Sequence, residues 1–102
     1  MELYLLSDNV DTQVGLRLVG IEGSIVHSKE ELHREMESVF ENANIAIVLI
    51  TTIALNFDSD YIYDLKLNRS SPLIVEIPDR HDSVDIGDAI NKYISEAIGM
   101  KI

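Results

Sequence analysis

The chain has 102 residues, 46% of them hydrophobic and 25% charged, which is the size and composition of one globular domain. Its 18 acidic and 8 basic side chains give a formal net charge of −10, which disfavours binding to nucleic acid or to anionic membrane surfaces. The absence of cysteine excludes disulfides, thiolate catalysis, cysteine-ligated zinc and iron–sulfur centres.

The first predicted strand is Leu3–Leu6. Its continuous apolar character is typical of a strand that is buried on both faces. The sequence Met1–Tyr4 lacks the basic and then apolar plan of a signal peptide, so we expect a cytoplasmic protein that reaches a membrane only through partners. Asn9 or Asp11 can cap the helix that follows. Val14 and Leu18 lie one turn apart on its expected inner face, and Gly20 stands where a left-handed helix end is expected.

A weak second strand is predicted at Ile25–Val26 with His27. Ser28 and Glu31 then form a capping box, the clearest local signal in the chain. The helix that they begin carries one apolar stripe, made of Leu32, Met36, Val39, Phe40 and Ala43. His33 falls on the polar side of this helix, where we expect it to be solvated.

The run Ile45–Ile50 predicts the central strand, and it is too short to span a bilayer. Apolar residues at helical spacing follow, namely Ala54, Phe57, Tyr61 and Leu65. Asp58–Asp60 interrupts this helix with poor helix formers, so we expect it to be irregular or broken. A fourth strand, Leu73–Ile77, ends at Pro78, and the last predicted helix runs from about Ile86 to Ile98.

Four alternating strands and helices predict an α/β domain with a four-stranded parallel sheet between two helical layers and right-handed crossovers. We expect an α/β core over residues 1–78, followed by a linker and C-terminal helix over 79–102, all within one domain.

Any chemistry in such a sheet belongs at the carboxyl ends of its strands. A phospho-acceptor receiver domain is the obvious enzymatic comparison, but it needs a nucleophilic aspartate at the end of the central strand, where this chain has Thr51–Thr52. Asp8, Asn9 and Asp11 are interpreted as turn and cap residues. The alternative function is therefore a stand-alone receiver-like signalling domain that lacks the phospho-acceptor.

Cofactor and metal sites have little support in the sequence. The glycines match neither the dinucleotide fingerprint nor a phosphate-binding loop, and nothing argues for a flavin. A metal site that joins His27 and His81 with Asp79 or Asp82 is conceivable, but no paired-histidine motif supports it. We predict no catalytic, cofactor-binding or metal-binding residue.

Two features suggest contact with a partner protein. Glu76 interrupts an apolar strand on the face of Ile74, where it is either a solvent-facing, edge-protecting charge or a salt-bridge partner for another protein of a complex. The last helix has a wider apolar stripe than one side of a small sheet requires, so either all of the stripe serves the domain core or part of it faces a partner. The predicted partner-binding residues are Ile86, Ile90, Tyr93, Ile94, Ala97, Ile98 and Glu76.

Several segments that follow one another along the chain form a recognisable set, namely Ser7-Asp8, Gly15–Ile21, Leu49–Thr51 with Ile53-Ala54, Pro72–Asp79 and Tyr93–Gly99. Together these segments resemble the F subunits of the bacterial and archaeal V/A-type ATP synthases. The resemblance covers essentially the whole chain, and its C-terminal end looks like the bacterial branch. The chain departs from the family at Thr51-Thr52, where an acidic residue often follows the Thr, and at Asp58–Asp60, which is less helical than usual.

The resemblance implies a non-catalytic, flavodoxin-like domain on the central rotor shaft. It implies binding to the coiled-coil D subunit and to other subunits of the rotary ATPase, and a part in coupling ATP synthesis or hydrolysis to ion transport, hydrogen ions included. The family's C-terminal helix engages the shaft and can modulate hydrolysis, which here implicates residues 86–98. The match at Gly15-x-Arg17 is interpreted as structural, with Gly15 permitting close approach of helix and sheet.

Overall fold

The computed structural model describes residues 1–78, which form four strands and four helices. In chain order these elements are β1 (Glu2–Ser7), α1 (Val10–Leu18), β2 (Glu22–Ile25), α2 (Lys29–Glu41), β3 (Ile45–Thr51), α3 (Thr52–Asn56), α4 (Ser59–Asn68) and β4 (Leu73–Ile77). The predicted last helix, and its grouping with residues 1–78 in one domain, lie outside the described residues.

The four strands form one sheet in the order β2-β1-β3-β4, and every neighbouring pair is parallel. Parallel neighbours need a crossover connection, and here each connection contains at least one helix. The order corresponds to the first four strands of the flavodoxin-like sheet. The predicted fold class is therefore confirmed for the described residues.

Apolar side chains fill both faces of the sheet. On one face, β1, β3 and β4 pack against α2, α3 and α4, through side chains that include Leu6, Leu32, Met36, Ile50, Leu55 and Ile62. On the other face the same strands pack with α1, through Leu5, Leu16, Ile21, Ile47, Leu49 and Ile77. β1 and β3 lie in the middle of the sheet, so the continuous apolar runs of the sequence correspond to strands covered on both sides.

The helix phase of α1 differs from the prediction. Thr12 and Leu16 face the sheet and are almost fully buried, whereas Val14 and Leu18 are 49% and 83% exposed. The prediction places the more apolar pair inside, but the Asn9 side chain caps α1 by accepting from the Thr12 N–H and thereby fixes where the helix begins. The prediction for Val14 and Leu18 is wrong.

The second strand starts earlier than predicted, because β2 covers Glu22–Ile25 and Val26 follows it. Glu22, Gly23 and Ser24 are poor strand formers, so register along β1 determines this edge strand more than local preference does. A Cβ added at Gly23 would lie 2.7 Å from the Leu5 Cβ. Close contact with β1 therefore occurs at Gly23.

Three local predictions about helices are confirmed. The Ser28 side chain accepts from the Glu31 N–H and begins α2, although Glu31 reaches back to the N–H of His27. Gly20 has φ 89° just after α1, in the left-handed region. The helix after the central strand is broken, since α3 ends at Asn56 and Asp58 caps α4.

The predicted apolar stripe of α2 is wrong at its last residue. Ala43 is exposed and lies beyond the end of the helix.

Candidate functional site

Polar side chains meet at the carboxyl edge of the sheet, where a doubly wound fold holds its ligands. Ser7 ends β1, His27 follows β2, and Thr51 ends β3. Because the strands are parallel, these positions share one edge. The carboxyl edge is therefore the first place to look for chemistry in the described residues.

Asp8 and Thr51 form the central contact of this edge. The buried Thr51 hydroxyl donates to Asp8 Oδ1 at 2.8 Å and accepts from the Asp8 backbone N–H at 3.3 Å. This double contact joins the loop after β1 to the end of β3. A receiver domain would have its carboxylate acceptor where Thr51 stands, so the receiver alternative has no acceptor at this strand end.

The neighbouring loop is built from turn and cap contacts. The Ser7 hydroxyl donates to the Asn9 carbonyl and accepts from the Asn9 N–H, both at 2.9 Å. The His27 Nε2 lies 3.0 Å from the Asp8 carbonyl oxygen. Asp11 is exposed in the first turn of α1, a favourable place for a negative charge. Of the two predicted candidates, Asn9 is therefore the helix cap.

Glu76 also has a partner within the domain. The Thr52 hydroxyl donates to Glu76 Oε2 at 2.9 Å and lies 3.3 Å from the Ile77 carbonyl oxygen. The Glu76 side chain is half-buried, on the sheet face of Ile74 as predicted. Sequence reasoning missed this contact with Thr52, because sequence spacing does not show which loop covers a strand end. A role for Glu76 toward another protein of a complex stays a prediction.

Metal and membrane sites find no support in the described part of the chain. Within residues 1–78, no group of three or more histidine, aspartate or glutamate side chains is placed to hold a metal ion. Asp79, His81 and Asp82 lie outside that range. None of the helices within residues 1–78 is long and apolar enough to cross a bilayer.

A second polar cluster joins α2 to the start of α4. His33 Nε2 lies 2.7 Å from Asp58 Oδ2, and the His33 ring stacks on Tyr61 with centroids 3.8 Å apart and an interplanar angle of 14°. Lys29 Nζ lies 3.8 Å from the same Asp58 oxygen. The prediction that His33 is solvated is wrong, because the break before α4 brings the Asp58 cap against α2.

The titration of this cluster follows from its contacts. The hydrogen bond with His33 is the main cause that lowers the pKa of Asp58 below its usual 3.8, and the Tyr61 N–H and Lys29 act in the same direction. Burial raises the pKa of Tyr61 above its usual 10.0, and the nearby Glu37 adds to that rise. The Asp58 contacts therefore favour its charged form.

Exposed apolar side chains form a surface that sequence reasoning missed. Val10, Val14 and Leu18 follow one another at intervals of four residues along α1, and they are 57%, 49% and 83% exposed. Their four-residue spacing is visible in the sequence, but the same spacing is typical of an inner face. Gly15 lies beside them, and a Cβ added there would meet no atom of residues 1–78 within 4 Å. The prediction that Gly15 permits close approach of helix and sheet is therefore wrong.

Six of the seven predicted partner-binding residues lie outside the described residues. They are Ile86, Ile90, Tyr93, Ile94, Ala97 and Ile98, and only Glu76 can be placed. Their role stays a prediction.

Comparisons with known proteins agree on one family. The family model described as "ATP synthase (F/14-kDa) subunit" matches residues 3–94. The A-type ATP synthase F subunit of Methanocaldococcus jannaschii is 31% identical, over 100% of this chain and 99% of that protein. The protein of the same name in Thermococcus kodakarensis is 27% identical, over 100% of this chain and 98% of that protein.

A solved structure supports the fold. The crystal structure of the V-type ATP synthase F subunit of Archaeoglobus fulgidus matches with a TM-score of 0.61 and 22% identity, over 74% of this chain and 95% of that chain. At this identity the match shows the flavodoxin-like fold. The sequence relatives reported above carry the A-type name, and the predicted membership of a bacterial branch is not borne out.

Proposed function

This chain belongs to the family of A- and V-type ATP synthase F subunits, and on that premise we propose that it is a central-stalk rotor component that binds the coiled-coil D subunit. The family is a non-catalytic part of a multi-subunit, membrane-associated ATP synthase. In this role the chain couples ATP synthesis or hydrolysis to ion transport, hydrogen ions included. It acts on the cytoplasmic side and reaches the membrane only through the complex.

The observation that carries the proposal is the family match, which extends over residues 3–94 and so includes most of the predicted last helix. The polar side chains of the carboxyl edge make structural contacts within the domain. Thr51 bonds Asp8 and Thr52 bonds Glu76, so these groups are engaged with one another. A net charge of −10 suits a basic partner surface.

The experiment measures binding of the purified chain to the D subunit of the same complex. Changing Ile90 and Ile94 together to Asp should abolish tight binding, because two charges would then lie in an apolar contact. Leu67→Asp is the control, since Leu67 is 85% exposed on α4. Far-ultraviolet circular dichroism checks that both variants are folded.

Normal binding by the folded Ile90 and Ile94 variant would show that the last helix is not the contact. Failure of the unaltered chain to bind the D subunit would refute the proposed role itself. A reconstituted complex gives a second readout, since omission of this chain should weaken the coupling of ATP hydrolysis to ion movement.

A further inference from the structure

A groove lies at the amino edge of the sheet, where the strands begin. It has a volume of about 540 Å³, and it is lined by the starts of β1 and β2 and by the ends of α1 and α2. Its apolar lining includes the buried Ile21, the half-buried Leu3 and the exposed Met1 and Val19. The packing of residues 1–78 therefore leaves apolar surface open at this edge.

Two carboxylates line the same groove. Glu2 begins β1 and Glu22 begins β2, and both side chains are exposed. The ion pairs within residues 1–78 join Lys29 and His33 to Asp58, so neither glutamate takes part in one. The lining contains no lysine, arginine or histidine side chain. The groove therefore carries negative charge that its own lining side chains do not neutralise.

The ends of two helices add to this negative charge. A helix C-terminus carries about half an elementary negative charge, and α1 and α2 meet the groove through their capping residues Val19 and Asn42. Arg17 offsets the end of α1 but does not line the groove. α2 ends at Glu41 and has no basic side chain in its last turn, which is the less favourable arrangement. A cation bound at this edge would therefore be stabilised.

We propose that this amino-edge groove docks a partner protein through an arginine or lysine side chain that is flanked by apolar side chains. The apolar stem of such a side chain packs against Leu3, Val19 and Ile21, and its charged end lies between Glu2 and Glu22. Charge complementarity selects this occupant, because an acidic segment would be repelled. The inference rests on the described residues and does not depend on the proposed function.

The first test titrates the isotope-labelled full chain with the capped peptide Ala-Leu-Arg-Leu-Ala and follows the amide signals by NMR. The signals of Gly20, Ile21 and Glu22 should move and reach saturation. A second peptide carries citrulline in place of arginine, which keeps the shape of the side chain and removes its charge. It should bind about threefold more weakly or worse, because the ion pairs are lost.

The second test changes Glu2 and Glu22 together to Gln. The affinity for the arginine peptide should fall about threefold to tenfold, while the affinity for the citrulline peptide should hardly change. The matched control is Glu30→Gln with Asp60→Asn, which removes two exposed charges where α2 and α4 begin, and it should bind as the unaltered chain does. All four positions are exposed, so both variants should keep their melting temperature to within a few degrees.

Four outcomes would overturn the docking groove. They are the absence of saturable shifts at residues 20–22, equal affinity for the two peptides, unchanged affinity in the Glu2 and Glu22 variant, and an equal loss of affinity in the control. Movement of the same signals in Lys101→Gln without any peptide would show that the chain fills the groove itself, and would also exclude a partner there. None of these results bears on binding to the D subunit, so the proposed function is tested separately.

Discussion

At the scale of single residues, the described part of the chain uses its polar side chains to hold loops together. The buried Thr51 hydroxyl at the end of β3 bonds Asp8 in the loop after β1, and the Thr52 hydroxyl at the start of α3 bonds Glu76 in β4. A hydrogen bond to a charged group contributes about 1.5–3 kcal/mol, more than a neutral one does. These contacts therefore explain why acidic residues at a sheet edge need not form a catalytic site.

Asp58 gives a prediction about pH. Its pKa is lowered in the folded chain, so its contribution to stability is complete above the usual value of 3.8 and is lost as the pH falls through the lower folded pKa. Asp58→Asn keeps a helix cap but removes the charge. The difference in unfolding free energy between the unaltered chain and the variant should shrink as the pH falls from about 5 to about 2.5.

Urea unfolding at several pH values measures this difference. Asp60→Asn is the control, because Asp60 lies in the same first turn of α4, and its difference from the unaltered chain should vary less with pH. A difference for Asp58→Asn that is constant over the acid range would contradict the role of the His33 contact.

At the scale of secondary-structure elements, one glycine within α1 and one just after it have opposite conformational requirements. Gly20 has φ 89° and donates its N–H to the Arg17 carbonyl, so it ends the helix in a conformation that disfavours a side chain. Gly15 lies within the helix and has open space around it. The same substitution should therefore have opposite effects at these two positions.

Gly20→Ala should lower the free energy of unfolding by about 1–2 kcal/mol, because alanine is strained in the left-handed region. Gly15→Ala should raise it by about 0.5–1 kcal/mol, and so serves as the matched comparison. Chemical denaturation of both variants provides the measurement. A loss of stability at residue 15 would mean that the helix packs more closely there than the structure shows.

At the scale of the whole molecule, β3 connects the two halves of the core. Leu49 belongs to the cluster on the α1 face, and the next residue, Ile50, belongs to the cluster on the opposite face. Both side chains are fully buried. Since adjacent residues of one strand belong to different clusters, the two faces should lose their structure together.

Leu49→Ala and Ile50→Ala should each lower the free energy of unfolding by about 2–5 kcal/mol, the usual cost of removing a large buried side chain. Each variant should still unfold in a single transition, with coincident fluorescence and circular dichroism curves. Leu67→Ala is the exposed control and should change stability by no more than about 0.5 kcal/mol. Separate transitions for either core variant would contradict a shared core.

The sequence is sufficient to predict the elements with strong local signals. The structure confirms the capping box of Ser28 and Glu31, the strand that starts at Ile45, and the break near Asp58. The phase of α1 and the start of β2 differ from the prediction, because contacts with β1 and the Asn9 cap decide them. The contacts of Thr52 with Glu76 and of His33 with Asp58 join segments more than twenty residues apart, and single-sequence patterns do not specify such pairs.

The position of β1 between β2 and β3 determines when this chain can become a domain during its synthesis. β1 is hydrogen-bonded on one side to Ile45–Ile50, some forty residues later in the chain. Such distant pairing is slow to form, since the intervening chain must be ordered before the contact is gained. Leu5 and Leu6, which are fully buried in the domain, must therefore wait without their final neighbours until Ile45–Ile50 has been translated.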